Sequence, residues 1–463
     1  MLRLFDSAKN YQRREFLRIG GLGLAGMTLP AYLEAKASSG GSFVRDKSVI
    51  FLFLHGGPSQ IETFDPKMTA PAEIRSVTGE VSTALPGVTF GGTFTKLAQR
   101  ANQLSVVRSF TTGDAKHDIK PIVSATSLNA NLGAIYSRLV GANHPTTGMP
   151  TNCALFPQAV DSSTQPGQMK FGKFTSTGEL GAAYAPFVPG AGGNLQQDMQ
   201  LKLPMNRLDD RRTLLAGLDR LKWMAETSAS AEGTDHFRQQ AFSTILGGVA
   251  NAFDLSKEDP RLVAQYDTAP LVRPNQISRR WKNYNNYVDN AKSLGKLLLL
   301  ARRLCEAGCG FVTVTTNFVW DMHADVNNAG VEEGMGYMGV PLDHAVSAFL
   351  DDVQSRGLGQ KILLVVCGEM GRTPKINKNS GRDHWGNSAP LLLAGGGLKM
   401  GQVIGQSTRD AGEPQTEPYG LSHLNTTIMH TLFDAGQFRV ERGIPNDVAQ
   451  LVNNNAPIAE LFS

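Results

Sequence analysis

Residues 48–54 read SVIFLFL and run directly into His55-Gly56-Gly57-Pro58. A short apolar stretch without polar alternation, halted by two glycines and a proline, predicts a strand buried on both faces that stops at a tight loop. Four further segments repeat the theme: 104–110, 311–316, 361–367 and 390–394 are apolar or β-branched, and each leads into polar or glycine-rich sequence. Together they predict a parallel sheet.

The connections support an α/β class. Within residues 341–356, Leu342, Ala345, Val346, Phe349, Leu350 and Val353 fall at the spacing of one helix face. Gly357 follows as a C-terminal cap, and the next strand gives the strand–helix–strand order of a right-handed crossover. Longer helical patterns cover about 206–227, 233–255 and 276–308, and an amphipathic segment covers 421–435. Cys305 and Cys309 lie four apart on the third of these, where buried packing explains them better than a disulfide or metal pair. Residues 142–205 are poor in charge and rich in Gly, Pro, Ser and Thr, and read as a looped insertion over the sheet edge that shapes access to a site.

Composition excludes several classes. With 463 residues, 41% hydrophobic and 19% charged, the chain is no coiled coil, collagen or disordered tail, and its 49 glycines exceed the usual share of about 7%. Of the 45 Lys/Arg and 41 Asp/Glu, six and three lie in residues 1–37, leaving 39 and 38 in the remainder. A nearly neutral chain with no basic run past its start argues against nucleic acid as a partner. Four cysteines without a CxxC or CxxCH pattern indicate neither a zinc ribbon nor covalent haem, and the lack of a GxGxxG after a strand gives a redox role no support.

Residues 12–18 read QRREFLR, followed by the weakly apolar run IGGLGLAGMTLPAYL and by Ala35-Lys36-Ala37. Paired arginines, a moderate apolar stretch and a small-x-small site resemble a twin-arginine export signal over 1–37. The expected partner is the twin-arginine translocase and the expected location periplasmic. Residues 38–46 read as a flexible linker, and 47–463 as one α/β domain. No stretch reaches the roughly 20 apolar residues of a membrane span.

In an open α/β sheet, ligands bind beyond the carboxyl ends of the strands. There the sequence places His55; then Asp114, His117 and Asp118; Asp321 and His323 in WDMH; Glu369; and Asp383 and His384 in GRDHW. Four of the nine histidines occupy such positions. Imidazole and carboxylate are ligands of borderline divalent cations, so His55, Asp321, His323, Glu369, Asp383 and His384 are the expected metal set, with zinc first and manganese or calcium as alternatives. Arg372 and Arg382 are expected to clamp a tetrahedral anion. A small anionic ester is then the expected substrate. Each residue alone also has a structural reading, as a turn cap or a satisfied core partner.

The combination of QRREFLR, FLFLHGGPSQIETFDPK, WDMH, GEMGRTPKIN, GRDHWG and LLLAGGGLKMGQVIG resembles the bacterial domain-of-unknown-function family 1501 over nearly the whole chain. That family looks like a branch of the alkaline phosphatase and sulfatase superfamily. The resemblance implies an alkaline-phosphatase-like three-layer sandwich with a mostly parallel central sheet, a metal site at the strand ends, and an exported hydrolase of phosphate or sulfate esters. His384 resembles the superfamily's last metal histidine, Glu369 stands in place of its Asp-His pair, and Asp321 and His323 resemble its earlier Asp and His with one intervening residue in place of three. No nucleophile matches: His117 is nearest the position, Thr111, Thr112, Ser109 and a metal-bound hydroxide are alternatives, and no CxPSR-type sulfatase signature is present. The competing expectation is a non-catalytic envelope binding protein on a degenerate scaffold of the same kind.

Overall fold

The computed structural model describes residues 43–190, 249–453 and 455–462. The export segment, most of the linker, the helical patterns at 206–227 and 233–248, and the end of the insertion lie outside the described residues. A seven-stranded sheet organises the described chain. In chain order the strands are β1 (Ser48–Phe53), β2 (Glu80–Ser82), β3 (Thr89–Gly91), β4 (Leu104–Val107), β5 (Asn152–Leu155), β6 (Phe311–Thr315), β7 (Ile362–Cys367), β8 (Gly371–Arg372), β9 (His384–Trp385), β10 (Leu391–Gly395) and β11 (Gln402–Ile404). The central order is β11-β4-β10-β7-β1-β6-β5, while β2–β3 and β8–β9 form separate two-stranded ribbons.

β1 lies between β7 and β6, parallel to both. Ile50 and Leu52 pack into one apolar cluster with the helices α1 (Thr95–Gln99), α3 (Tyr284–Glu306) and α4 (Val331–Ser355). Val49, Phe51 and Phe53 pack into a second cluster, with α2 (Leu132–Val140) and α5 (Leu421–Leu432). Cover on both faces is the physical reason the strand shows no polar alternation. The result is an α/β sandwich of three layers around a mostly parallel sheet.

The sheet departs from all-parallel at one strand. β10 runs antiparallel to both β7 and β4, with Leu391 paired to Cys367. Its approach therefore lies at the same rim as the carboxyl ends of the parallel strands. The segment expected to be only looped supplies the edge strand β5, parallel to β6, because Asn152–Leu155 is fully buried there. Helix α4 begins ten residues before the expected start, with Val331, Met335 and Met338 extending the buried stripe of Leu342, and Pro341 falls inside it. A proline tolerated mid-helix removes one N–H donor, and burial of the whole stripe offsets the loss. Gly357 takes φ +67 just past that helix, as expected of a cap. Cys305 lies on α3 but Cys309 lies beyond its end, and all four cysteines are free and buried. No helix among the described residues is long and apolar enough to cross a membrane.

Candidate metal centre

The turn after β1 is the frame of the site. Gly56 has φ +117, and a Cβ there would lie 2.5 Å from the Asp321 backbone nitrogen. Only glycine fits both the angle and the approach. The loop following β6 is held against this turn, since the Val319 and Trp320 N–H groups donate to the His55 carbonyl at 3.1 and 3.0 Å. That docking delivers Asp321, 6% exposed, to the carboxyl rim.

Ligand atoms of His117, Asp321, His323 and His384 all lie within 4.8 Å of one another. Asp321 Oδ1 is the hub: His323 Nε2 lies 2.7 Å away, His384 Nε2 3.3 Å and His117 Nε2 3.4 Å. The four residues come from three separate loops: His117 after β4, Asp321 and His323 after β6, and His384 on β9 before β10. Asn328 Nδ2 donates to Asp321 Oδ2 at 3.1 Å, which leaves Oδ1 facing the histidines.

Glu369 follows β7 and is fully buried. It accepts the Gly56 N–H at 2.9 and 3.1 Å on its two oxygens, and its Oε1 lies 2.9 Å from His117 Nδ1. With its Nδ1 proton directed at Glu369, the His117 ring presents the lone pair of Nε2 to the cluster. Asp383 stands in the same relation to His323, with Oδ1 3.3 Å from Nδ1, and is braced by Asn377 at 3.0 Å. Glu369 and Asp383, expected as ligands, thus stand behind His117 and His323 and lie outside the four-residue group.

The donor set suits a divalent cation. Nε2 of His323 and Nε2 of His384 are 2.7 Å apart, and Nε2 of His117 is buried without a hydrogen-bond partner. Three imidazole lone pairs and a carboxylate oxygen at these separations repel unless a proton or cation lies among them. Burial raises the Asp321 carboxyl, but Arg372 and hydrogen bonds from the three histidines outweigh it and hold Asp321 well below the usual range. Burial lowers His117, yet the neighbouring carboxylates of Asp321 and Glu369 reverse the sign and leave it raised. His384 is lowered, chiefly by burial.

The other expected residues take different places. His55 is 1% exposed, neither ring nitrogen has a partner, and its ring is boxed by Phe53, Phe171, Phe174 and Phe318 at centroid distances of 5.1–5.8 Å. It borders the cluster without joining the four. Arg372 is held by Gly57 O at 2.7 Å, by Gly56 O, by Arg382 O at 3.3 Å and by Asp321 Oδ1 at 2.7 Å. Arg382, fully buried, pairs with Glu62 at 2.8 Å and with backbone carbonyls of Pro374, Ile74 and Arg75. Both guanidiniums, expected as anion clamps, are thus engaged by groups of the protein itself. Thr111 donates to Gly386 O at 2.9 Å, while the hydroxyls of Thr112 and Ser109 are buried without partners. None of these hydroxyls is hydrogen-bonded to His117, Asp321, His323 or His384.

Fold and site together define an α/β protein with a histidine-rich, carboxylate-centred cluster at the carboxyl rim of its sheet. The chain belongs to the family described as "Protein of unknown function (DUF1501)", whose model matches residues 46–439. No curated protein matches it. Solved structures with a similar course of the chain include a sulfatase from Pseudoalteromonas sp., at 10% identity over 86% of this chain and 69% of that one, with a TM-score of 0.34. Phosphonate monoester hydrolases from Silicibacter pomeroyi (10% identity, 89% and 77% coverage, TM-score 0.34) and Agrobacterium radiobacter (9%, 83% and 73%, 0.30) are also similar.

Proposed function

We propose that the protein is an exported, metal-dependent hydrolase of phosphate or sulfate esters on an alkaline-phosphatase-like scaffold. The observation that carries this reading is the convergence of three imidazole nitrogens and Asp321 Oδ1 within 4.8 Å. Zinc is the metal that best suits three nitrogens and one oxygen, with His117, Asp321, His323 and His384 holding it. When bound, it supplies Lewis acidity toward a phosphoryl or sulfuryl oxygen. A divalent cation and the Arg372 guanidinium against the two buried carboxylates Asp321 and Glu369 leave one net positive charge, which favours an anionic ligand. Export follows the twin-arginine-like segment at residues 12–18.

The chain's own residues have defined tasks in this reading. Glu369 keeps the proton on His117 Nδ1, Asn328 aims Asp321 Oδ1, and Asp383 steadies His323. Arg372 fixes the Asp321 carboxylate in its ionised form. Among the described residues no alcohol or thiol is hydrogen-bonded to His117, Asp321, His323 or His384, which favours a water nucleophile over a covalent phospho- or sulfo-enzyme.

The same missing nucleophile, with both arginines already committed, favours a second reading: an envelope protein that binds an anionic ester without turning it over. Metal analysis of protein purified without chelator, followed by a panel of phosphate, phosphonate and sulfate esters, separates the two. Stoichiometric metal with turnover that vanishes in folded Asp321→Ala and His384→Ala variants supports the hydrolase. Anion binding without turnover, with or without metal, selects the binding protein, and absence of metal refutes the hydrolase.

A further inference from the structure

An anion arriving at the cluster needs a positively charged donor, and the guanidiniums closest to it are occupied. Lys120 is also engaged: its Nζ lies 3.0 Å from both Asp114 and Asp118 and donates to Lys116 O at 3.0 Å. Lys170 differs. It is exposed, and its ammonium rests 5.3 Å from the centroid of the Phe171 ring with no carboxylate partner among the described residues. Phe171 in turn packs on His117 at 5.2 Å and on Phe318 at 4.5 Å, and Phe318 packs on His117 at 4.7 Å. The ammonium therefore stands on a ring that touches a member of the cluster.

We propose that Lys170 is the anion-binding residue of this site, moving from its perch on Phe171 to contact the tetrahedral oxyanion of the substrate. The inference rests on the reading of the cluster as a site for anionic esters. A lysine side chain has a strongly hydrated point charge on a flexible stem, so a cation–π contact at an exposed position is weak enough to be exchanged for a charge-assisted hydrogen bond. The ring remains as a fixed apolar edge beside His117. Delivery of Lys170 and Phe171 by the loop-rich segment after β5 gives that segment a direct part in substrate binding. Phosphate and sulfate groups share the chemistry that Lys170 would recognise, a tetrahedral anion with outward oxygens.

The test is calorimetric titration of the zinc-loaded protein with inorganic phosphate and, separately, inorganic sulfate, comparing the wild type with Lys170→Met and Lys170→Arg. Methionine keeps the stem and removes the charge. The expected result is a roughly tenfold weaker anion affinity in Lys170→Met, substantial recovery in Lys170→Arg, and unchanged zinc content and melting temperature in both. A preference for one of the two anions in the wild type would tell a phosphate-ester site from a sulfate-ester site. Equal anion affinity in wild type and Lys170→Met overturns the role of Lys170 and leaves the anion site standing. If the wild type binds neither anion, the anionic-ester reading itself fails, and the assignment of Lys170 falls with it.

Discussion

The Gly56 N–H meets both carboxylate oxygens of Glu369, at 2.9 and 3.1 Å. A turn made by the first strand thereby fixes an acid 313 residues away in sequence, and that acid orients His117. Gly56→Ala must abandon φ +117 or collide with the Asp321 backbone at 2.5 Å. The expected outcome is loss of stoichiometric metal together with destabilisation of at least about 1–2 kcal/mol from the backbone conformation alone. Metal analysis and urea unfolding of the same preparation check both.

Glu369→Gln keeps the shape and removes the charge. Loss of a partner behind a metal-bound imidazole weakens metal affinity by about 10–100-fold. Competition with a chromogenic chelator should show that drop while circular dichroism stays unchanged. An unaltered affinity would mean that Glu369 does not act through His117.

Metal uptake should release a proton from His117. Its pKa is raised above the ordinary 6.5 in the metal-free protein, so at pH 6.5 more than half of the molecules carry the proton that the metal must displace. Affinity should therefore climb with pH through the neutral range. Titrations at pH 6.5 in buffers of different ionisation enthalpy should report more than about half a proton released per metal, and Glu369→Gln should reduce that number.

Stability of the metal-free protein carries the opposite signs of two groups. His117, raised by its carboxylate partners against the effect of burial, stabilises the fold fully below about pH 6.5, and the contribution is lost as pH rises through its folded value. Asp321 is depressed, with Arg372 and the histidines overcoming burial, so its contribution is complete above about pH 3.9 and is lost as pH falls toward the folded value. His55 and His384, both lowered chiefly by burial, disfavour the native state once pH falls below about 6.5. Thermal melts of chelator-treated wild type should thus weaken on both flanks, and Asp321→Asn should lessen the loss on the alkaline side.

Arg382→Met separates structure from chemistry. Breaking a fully buried pair takes the guanidinium from Glu62 and leaves its carboxylate to the Ser76 hydroxyl and the Val77 and Thr78 N–H groups, at an expected cost of about 3–5 kcal/mol in denaturant unfolding. Residual folded protein should keep its metal affinity, because no ligand atom touches Arg382.

Local patterning made the layers legible: an apolar run such as residues 48–54 specifies burial on both faces. It does not specify direction, and the antiparallel course of β10 was therefore hidden, since a short apolar strand reads the same either way. The residues at the strand ends announced the cluster, and Asp321, His323 and His384 come together there. Roles within it were not legible. Glu369 behind His117 turns its Nε2 toward Asp321, a placement that no local pattern announced. Arg382 resembled an anion clamp from its place in GRDHW, but its partner Glu62 lies 320 residues earlier, and no local pattern records so distant a pairing.

The reversal of β10 has one more consequence. The excursion carrying Glu369, Arg372, Asp383 and His384 departs from β7 and rejoins its immediate neighbour at a single rim, with Cys367 opposite Leu391. It is in effect a cassette clipped to two adjacent strands, whose length and contents can drift without rethreading the sheet. Of the four clustered residues it brings only His384, so a change of its contents would alter one corner of the centre and leave His117, Asp321 and His323 on their own loops.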